Sequence, residues 1–179
     1  DLTAASTGLN EKQARAAGVA YDKVVTYSAS HASYYPGARN MTVKTLFDPA
    51  SGRILGAQIV GFDGVDKRMD VLAAAIRAGL TAEQLTELDL AYAPPYGSAK
   101  DPVNMAGYVI ENVRAGLVEQ HHWDAVAELP ADGSVILLDV RTPGEVRKQG
   151  LLRSDALHIP LDELRGRLGE LDKGKKIYV

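Results

Sequence analysis

Four tyrosines, Tyr34, Tyr35, Tyr92 and Tyr96, fall in two proline-containing stretches, "HASYYPGARN" and "AYAPPYGSAKDPVN". The chain has eight Tyr against two Phe, more phenols than apolar bulk alone requires. A phenol both donates and accepts, ionises near about 10, and can hydrogen-bond a thiolate or another developing anion. Prolines stiffen the loops that carry such groups, which suits a phenol that must be held in place. Tyrosine is also an ordinary loop and interface residue, and on composition alone that plain role is the preferred reading.

Other chemistry is sparse. With no cysteine there is no disulfide, no cysteine-ligated zinc and no thiol nucleophile in the chain. The adjacent pair His121-His122 is awkward for one metal, because neighbouring side chains point apart, and reads as part of a solvated linker. His31 and His158 are isolated, so no metal site is expected. Asp139 and Arg141, in "LLDVRTPGE", stand at the end of a buried strand. Such strand ends host sites in parallel sheets, and a structural ion pair that anchors the loop fits the same residues. There is no GxGxxG, no GxxxxGK[ST] and no Ser-His-Asp constellation.

The elements that must position these residues fall into two textures. "LNEKQARAAG" reads as a short helix with Asn10 as N-cap. "YDKVVTYSAS" is a strand. "MTVKTLFD" and "GRILGAQIVGF" are strands joined by "PASG", a tight antiparallel hairpin. "DKRMDVLAAAIRAG" carries Met69, Leu72, Ala73 and Ile76 at helical spacing, and Gly79 stops it. Thr81 and Gln84 form a capping box for "AEQLTELDL", and Pro102 opens a last helix that runs to Gly116. A hairpin followed by consecutive helices reads as an α+β layer domain over residues 1–117. Residues 118–122 are a linker. Over 123–179, "SVILLDV" is the continuous apolar run of a buried parallel strand. "PLDELRGRLGELDKG" aligns Leu161, Leu164, Leu168 and Leu171 on one side of a helix, and "KKIYV" opens another strand. This second part is expected to be an unfinished α/β unit with exposed apolar edges.

Charge and hydropathy narrow the function classes. A net charge of -3 argues against a nucleic-acid or anionic-membrane surface. No apolar run approaches the roughly 20 residues of a spanning helix. "DLTAASTGLNEK" is not a signal peptide, so the cytoplasm is the expected compartment. The start at Asp1 and the apolar end at "KKIYV" give the expectation of a piece cut from a longer protein.

Taken in order, "STGLNEKQA", "YYPGA", "GRILGAQIVG", "GFDGVDKRMDVLAAAI" and "LTELDLAYAPPYGSAKDPVNMAGYVIEN" resemble the C-terminal dimerisation domain of flavin-dependent pyridine nucleotide–disulfide oxidoreductases. The resemblance is to the coenzyme A–disulfide reductase and NADH oxidase branch and covers nearly all of residues 1–117. "ILLDVRTPGE", "HIPLDELRGRL" and "KGKKIYV" resemble the first half of a rhodanese domain, with Asp139 and Arg141 on that family's strand-end motif. "GLLRSDALHIP" departs from the Gly-His-Ile-x-Gly-Ala run usual there, and the chain stops before the rhodanese active-site loop.

The resemblance implies a parent that uses FAD and NAD(P)H to reduce coenzyme A disulfides, persulfides or polysulfides. The N-terminal FAD and NAD domains would lie outside this chain, which would bind neither cofactor alone and be inactive by itself. It implies a homodimer in which two tyrosines reach across the twofold axis to the partner's redox cysteine and substrate. Tyr92 is one of the two; the other is Tyr34 or Tyr35. Tyr96 and Lys100 are expected to support the substrate or the loop. The alternatives are an NADH oxidase-like parent and a non-catalytic dimerisation or interaction module.

Overall fold

The computed structural model describes residues Asp1–Val179, which divide into two units, Asp1–Glu119 and Gln120–Val179. The first is built on an antiparallel sheet of β1 (Thr3–Gly8), β2 (Asp22–Ala29), β3 (Asn40–Phe47) and β4 (Ile54–Gly61), in the order β1-β4-β3-β2. The expected hairpin joins β3 to β4. Asp48 accepts at Oδ1 from the Ser51 amide (2.7 Å), and Gly52 takes a left-handed φ of 75° to close the turn.

Alternation puts Val24, Met41, Val43, Phe47, Ala57 and Ile59 on one sheet face. That face is covered by α2 (Val65–Ala78) and α4 (Pro102–Arg114), which bury Leu72, Ala75, Val103 and Ile110 against it. The opposite face carries α1 (Glu11–Ala16), held by Asn10 and Gln13 in a reciprocal cap with two 2.9 Å bonds. Glu11 pins that helix to the sheet through Lys23 (2.8 Å) and Lys44 (2.7 Å). At Gly56 the sheet leaves no room for a side chain, because the carbonyl of Leu9 lies where a Cβ would stand.

In the first unit two elements differ from the sequence expectation. The strand β1 has no apolar alternation to announce it; it is an exposed edge strand assembled by its ladder to β4. The capping box of Thr81 and Gln84 does start α3, but this helix spans only Ala82–Thr86. Asn104, on α4, donates from Nδ2 to the carbonyls of Leu85 (2.9 Å) and Leu88 (3.1 Å). Those acceptors are thereby satisfied from outside the helix, and the chain runs on irregularly through Leu90.

The second unit has a parallel sheet in the order β6-β5-β7, from β5 (Val135–Asp139), β6 (Leu157–His158) and β7 (Lys176–Tyr178). Its helices are α5 (Pro143–Gln149), which the sequence reading did not include, and α6 (Leu161–Arg167). Leu137, Leu138, Ile159 and Leu129 form its small buried set, whereas Leu161 and Leu168 stay exposed. Trp123, the only tryptophan, is 81% exposed. His121 sets its ring edge against Tyr178, with centroids 4.7 Å apart. No helix is long and apolar enough to cross a membrane.

Candidate active site

Two loops of the first unit bring the phenols together. One leaves β2 at Ala29 and returns to β3 at Asn40. Its base is closed by the Ser30 amide on the Arg39 carbonyl (2.8 Å) and the Arg39 amide on Ser30 Oγ (3.2 Å). The other runs from Ala91 to Asp101, the N-cap of α4. It turns at the proline pair, where the amides of Tyr96 (2.8 Å) and Gly97 (3.0 Å) donate to the Ala93 carbonyl. The loops are joined by one backbone bond, from the Ala32 amide to the Gly97 carbonyl (3.0 Å).

At their tips, the hydroxyls of Tyr34 and Tyr92 lie 3.2 Å apart. Both rings are open to solvent, at 74% and 50% exposure. The hydrogen bond to Tyr92 raises the pKa of Tyr34 above the usual phenol value. One O–H serves the bond between the two phenols, which leaves the other free to donate outward.

Tyr35 goes elsewhere: its ring stands edge-on to His31, at 5.8 Å and 80°. His31 is buried, with Nδ1 3.2 Å from the Ala32 carbonyl, and supports the loop from below. The adjacent tyrosines, inseparable by motif, therefore have different surroundings here. Tyr34 meets Tyr92 and Tyr35 meets His31.

A pocket of about 470 Å³ opens beside Tyr92, with Tyr96, Ser30, Asp63, Lys67 and Arg68 in its lining. Lys67 Nζ donates to the backbone carbonyl of Tyr96 (3.3 Å), which ties the start of α2 to the Tyr-Pro loop. Lys100 lies outside this lining, with Nζ 4.7 Å from the centroid of the Tyr108 ring. Beneath the pocket is a guanidinium that the sequence reading passed over. Arg68 is 2% exposed and pairs with Asp101, 2.9 Å from Nη2 to Oδ2. It was detectable as a cation on the apolar stripe of α2, at helical spacing from Val65 and Leu72.

In the second unit Arg141 grips Asp139 with Nε (2.9 Å) and Nη2 (2.6 Å). It also donates to Gln149 Oε1 and the Gly150 carbonyl, both at 2.9 Å, so it binds the end of β5 to the end of α5. His158 Nε2 lies 2.8 Å from the Arg141 carbonyl. The hydrogen bond from Arg141 holds the Asp139 carboxyl below the ordinary range, against the upward push of burial. The chain contains no cluster of three or more His, Asp or Glu arranged to hold a metal ion.

Residues 1–102 match the family "pyridine nucleotide-disulphide oxidoreductase, dimerisation domain". The chain belongs to the pyridine nucleotide-disulphide oxidoreductases. Within that family, it is 45% identical over 108 residues to a coenzyme A disulfide reductase of Staphylococcus haemolyticus. The match takes in 60% of this chain and 24% of that protein. Two solved structures resemble 99% of the chain and are themselves covered to 31%. They are the reduced Bacillus anthracis CoADR-RHD (49% identity, TM-score 0.92) and a NAD-dependent persulfide reductase from A. fulgidus (42%, 0.85). The chain thus spans about a quarter to a third of the length of these oxidoreductases.

In the parallel sheet, the strand-to-helix turn followed by an N-capped helix is the place to test for a dinucleotide diphosphate. The turn after β5 has no glycine-rich curve. The N-terminus of α5 is already filled by Thr142 and the Glu145 carboxylate, which bonds the Thr142 amide at 2.8 Å. A carboxylate at that place repels a dinucleotide diphosphate. That turn is therefore closed to a dinucleotide diphosphate.

Proposed function

We propose that the chain is the dimerisation portion of a flavoprotein that reduces coenzyme A disulfide, persulfide or polysulfide, and that Tyr34 and Tyr92 are its contribution to the chemistry. FAD and NAD(P)H would be bound by other parts of the parent. When an enzyme thiolate attacks a disulfide, a new S–S bond forms and the old one breaks. The departing sulfur then carries the negative charge. A phenol beside that sulfur donates a hydrogen bond or its proton to it, which lowers the cost of departure. The observation that carries this reading is the 3.2 Å approach of two exposed phenols from loops far apart in sequence. Nothing in ordinary packing requires two solvent-facing tyrosines to meet, whereas a shared target does. The names of the similar proteins supply the sulfur chemistry.

In the same proposal the phenols act in trans, on the partner subunit's thiol in a homodimer, so that dimerisation completes the site. Residues 123–179 are read as the first half of a rhodanese domain, with the Asp139–Arg141 pair fixing the end of its strand.

The test is made in the full-length parent. Tyr92→Phe and Tyr34→Phe should each lower turnover with coenzyme A disulfide by about a hundredfold, the usual scale of a lost acid–base group. The melting temperature should stay nearly constant. Unchanged turnover in both variants removes the catalytic role. Mixing protomers that lack the redox cysteine with protomers that lack both phenols decides between trans and cis. Heterodimers regain one working site in trans and none in cis.

A further inference from the structure

Arg68 sits where three segments converge. Its Nη2 donates to the Ser30 carbonyl (2.7 Å), at the base of the Tyr34 loop. Its Nη1 donates to the Gly64 carbonyl (3.2 Å), just before α2. Its Nε reaches Asp101 Oδ2 (3.1 Å), at the end of the Tyr92 loop. Asp101 is fixed in turn: Oδ1 accepts from the Val103 amide (3.1 Å), and its own amide donates to Asn104 Oδ1 (3.0 Å). Gly97, whose carbonyl holds the two loops together, lies directly over this pair. A Cβ built there would be 3.9 Å from both Arg68 Nη2 and Asp101 Oδ2.

Stability alone gives a weak reason for this arrangement. Burying an ion pair costs several kcal/mol of desolvation per ion, and apolar replacements of similar volume are often as stable. What an apolar side chain cannot do is address three backbone segments in fixed directions. A guanidinium does so with its rigid fork of donors, and a lysine ammonium has no such fork. The two phenols, being exposed, have few contacts of their own to hold them. Their separation is set by the loops, and this fork joins the base of one loop to the end of the other, beside the Ala32–Gly97 backbone bond.

We propose that Arg68 is a positioning residue that holds the Tyr34 and Tyr92 loops in register for the reaction, and this rests on the reading of those phenols given above. Arg68 touches neither phenol. It acts through the Ser30 carbonyl on one side and Asp101 on the other.

Two measurements test it. The first needs no turnover and uses this chain with carbon-13-labelled tyrosine rings, followed by NMR across the alkaline range. Lys67 and Asp63, the other charged groups lining the pocket, are left unchanged. In the native chain Tyr34 should ionise at higher pH than it does in a Tyr92→Phe variant, where its partner is gone. In Arg68→Lys, Tyr34 should fall to the Tyr92→Phe value while the amide spectrum stays folded. A Tyr34 midpoint equal to the native one in folded Arg68→Lys overturns the proposal. Should Arg68→Lys fail to fold, Asp101→Asn frees the same end of the fork and is judged by the same criterion.

The second measurement is in the parent. Arg68→Lys should lower kcat by about tenfold to a hundredfold, as misplacement of a catalytic group by about 1 Å does, with KM nearly constant. In a Tyr34→Phe/Tyr92→Phe background the same change should have no further effect on kcat. An undiminished further loss there means that Arg68 acts by another route. If the double phenylalanine variant itself turns over normally, the reading of the phenols fails. The NMR result then still decides whether Arg68 sets their geometry.

Discussion

The two phenols owe their proposed use to a proton that stays in place. Tyr34 is raised above the usual phenol value by its bond to Tyr92, so at neutral pH its hydroxyl keeps its proton and can donate. Activity that depends on this donation should fall only on the alkaline side of neutrality. A different residue controls the acid side of stability. Burial pushes the Glu11 carboxyl up, but hydrogen bonds from Lys23 and Lys44 outweigh it and bring it from 4.5 to about 2. A carboxylate lowered by folding stabilises the fold above its unfolded value, and that contribution is lost as pH falls from 4.5 toward 2. Glu11→Gln should therefore cost on the order of 1–3 kcal/mol at pH 7 and almost nothing at pH 2, measured by urea unfolding at both. An equal cost at the two values would show that the ion pairs contribute nothing. At this scale the sequence was readable in part. Tyrosine type and proline flanks drew attention to the two loops whose tips meet, and the resemblance narrowed the set to Tyr92 with Tyr34 or Tyr35. That Tyr34 meets Tyr92 while Tyr35 meets His31 depends on a loop conformation that no local spacing encodes. Arg68 was written on the apolar stripe of α2, but its partner Asp101 lies on another element.

Elements with strong local signals stand where they were expected. The β3–β4 hairpin, α2 with Gly79 after it and the cap of α3 each rest on residues a few positions apart. Two of the misses have long-range causes: β1 exists because β4 offers an edge, and α3 ends where Asn104 takes the Leu85 carbonyl, whereas α5 was missed although Thr142 and Glu145 cap it locally. Close packing of α3 on α4 gives a prediction of its own. A Cβ at Gly107 would lie 2.7 Å from the Ala82 carbonyl oxygen and 2.9 Å from Thr86 Cγ2. Gly107→Ala should force the helices apart and lower stability by about 1–3 kcal/mol in chemical denaturation. Gly166→Ala, in α6, meets nothing within 4 Å and should be neutral or stabilise the second unit by about 0.4–1 kcal/mol. Equal effects of the two changes would mean that helix propensity, not the α3–α4 approach, dominates.

For the molecule as a whole, the change of texture after Gly116 is readable in the sequence, and the structure divides at Glu119 and Gln120. The units differ greatly in what they bury. The first closes a core from β2, β3 and β4 and from α2, α3 and α4, while the second buries only Leu129, Leu137, Leu138 and Ile159 among its apolar side chains. Net stability is a small difference between large terms, so the smaller core should fail first. Amides of β5 should exchange with deuterium well before those of β3 and β4, and heating should give two transitions with the second unit melting at the lower temperature. A single transition with uniform protection would mean that the two units unfold together. Trp123 decides how such an experiment must be watched. Being 81% exposed in the native fold, the sole indole already emits as if in water, so its fluorescence changes little when the chain unfolds. Every tyrosine except Tyr178 belongs to the first unit. Near-ultraviolet dichroism of the phenols will therefore report chiefly the first unit, with Tyr178 alone speaking for the second. An optical melt followed at the tryptophan maximum will describe a flat line across a protein that is coming apart.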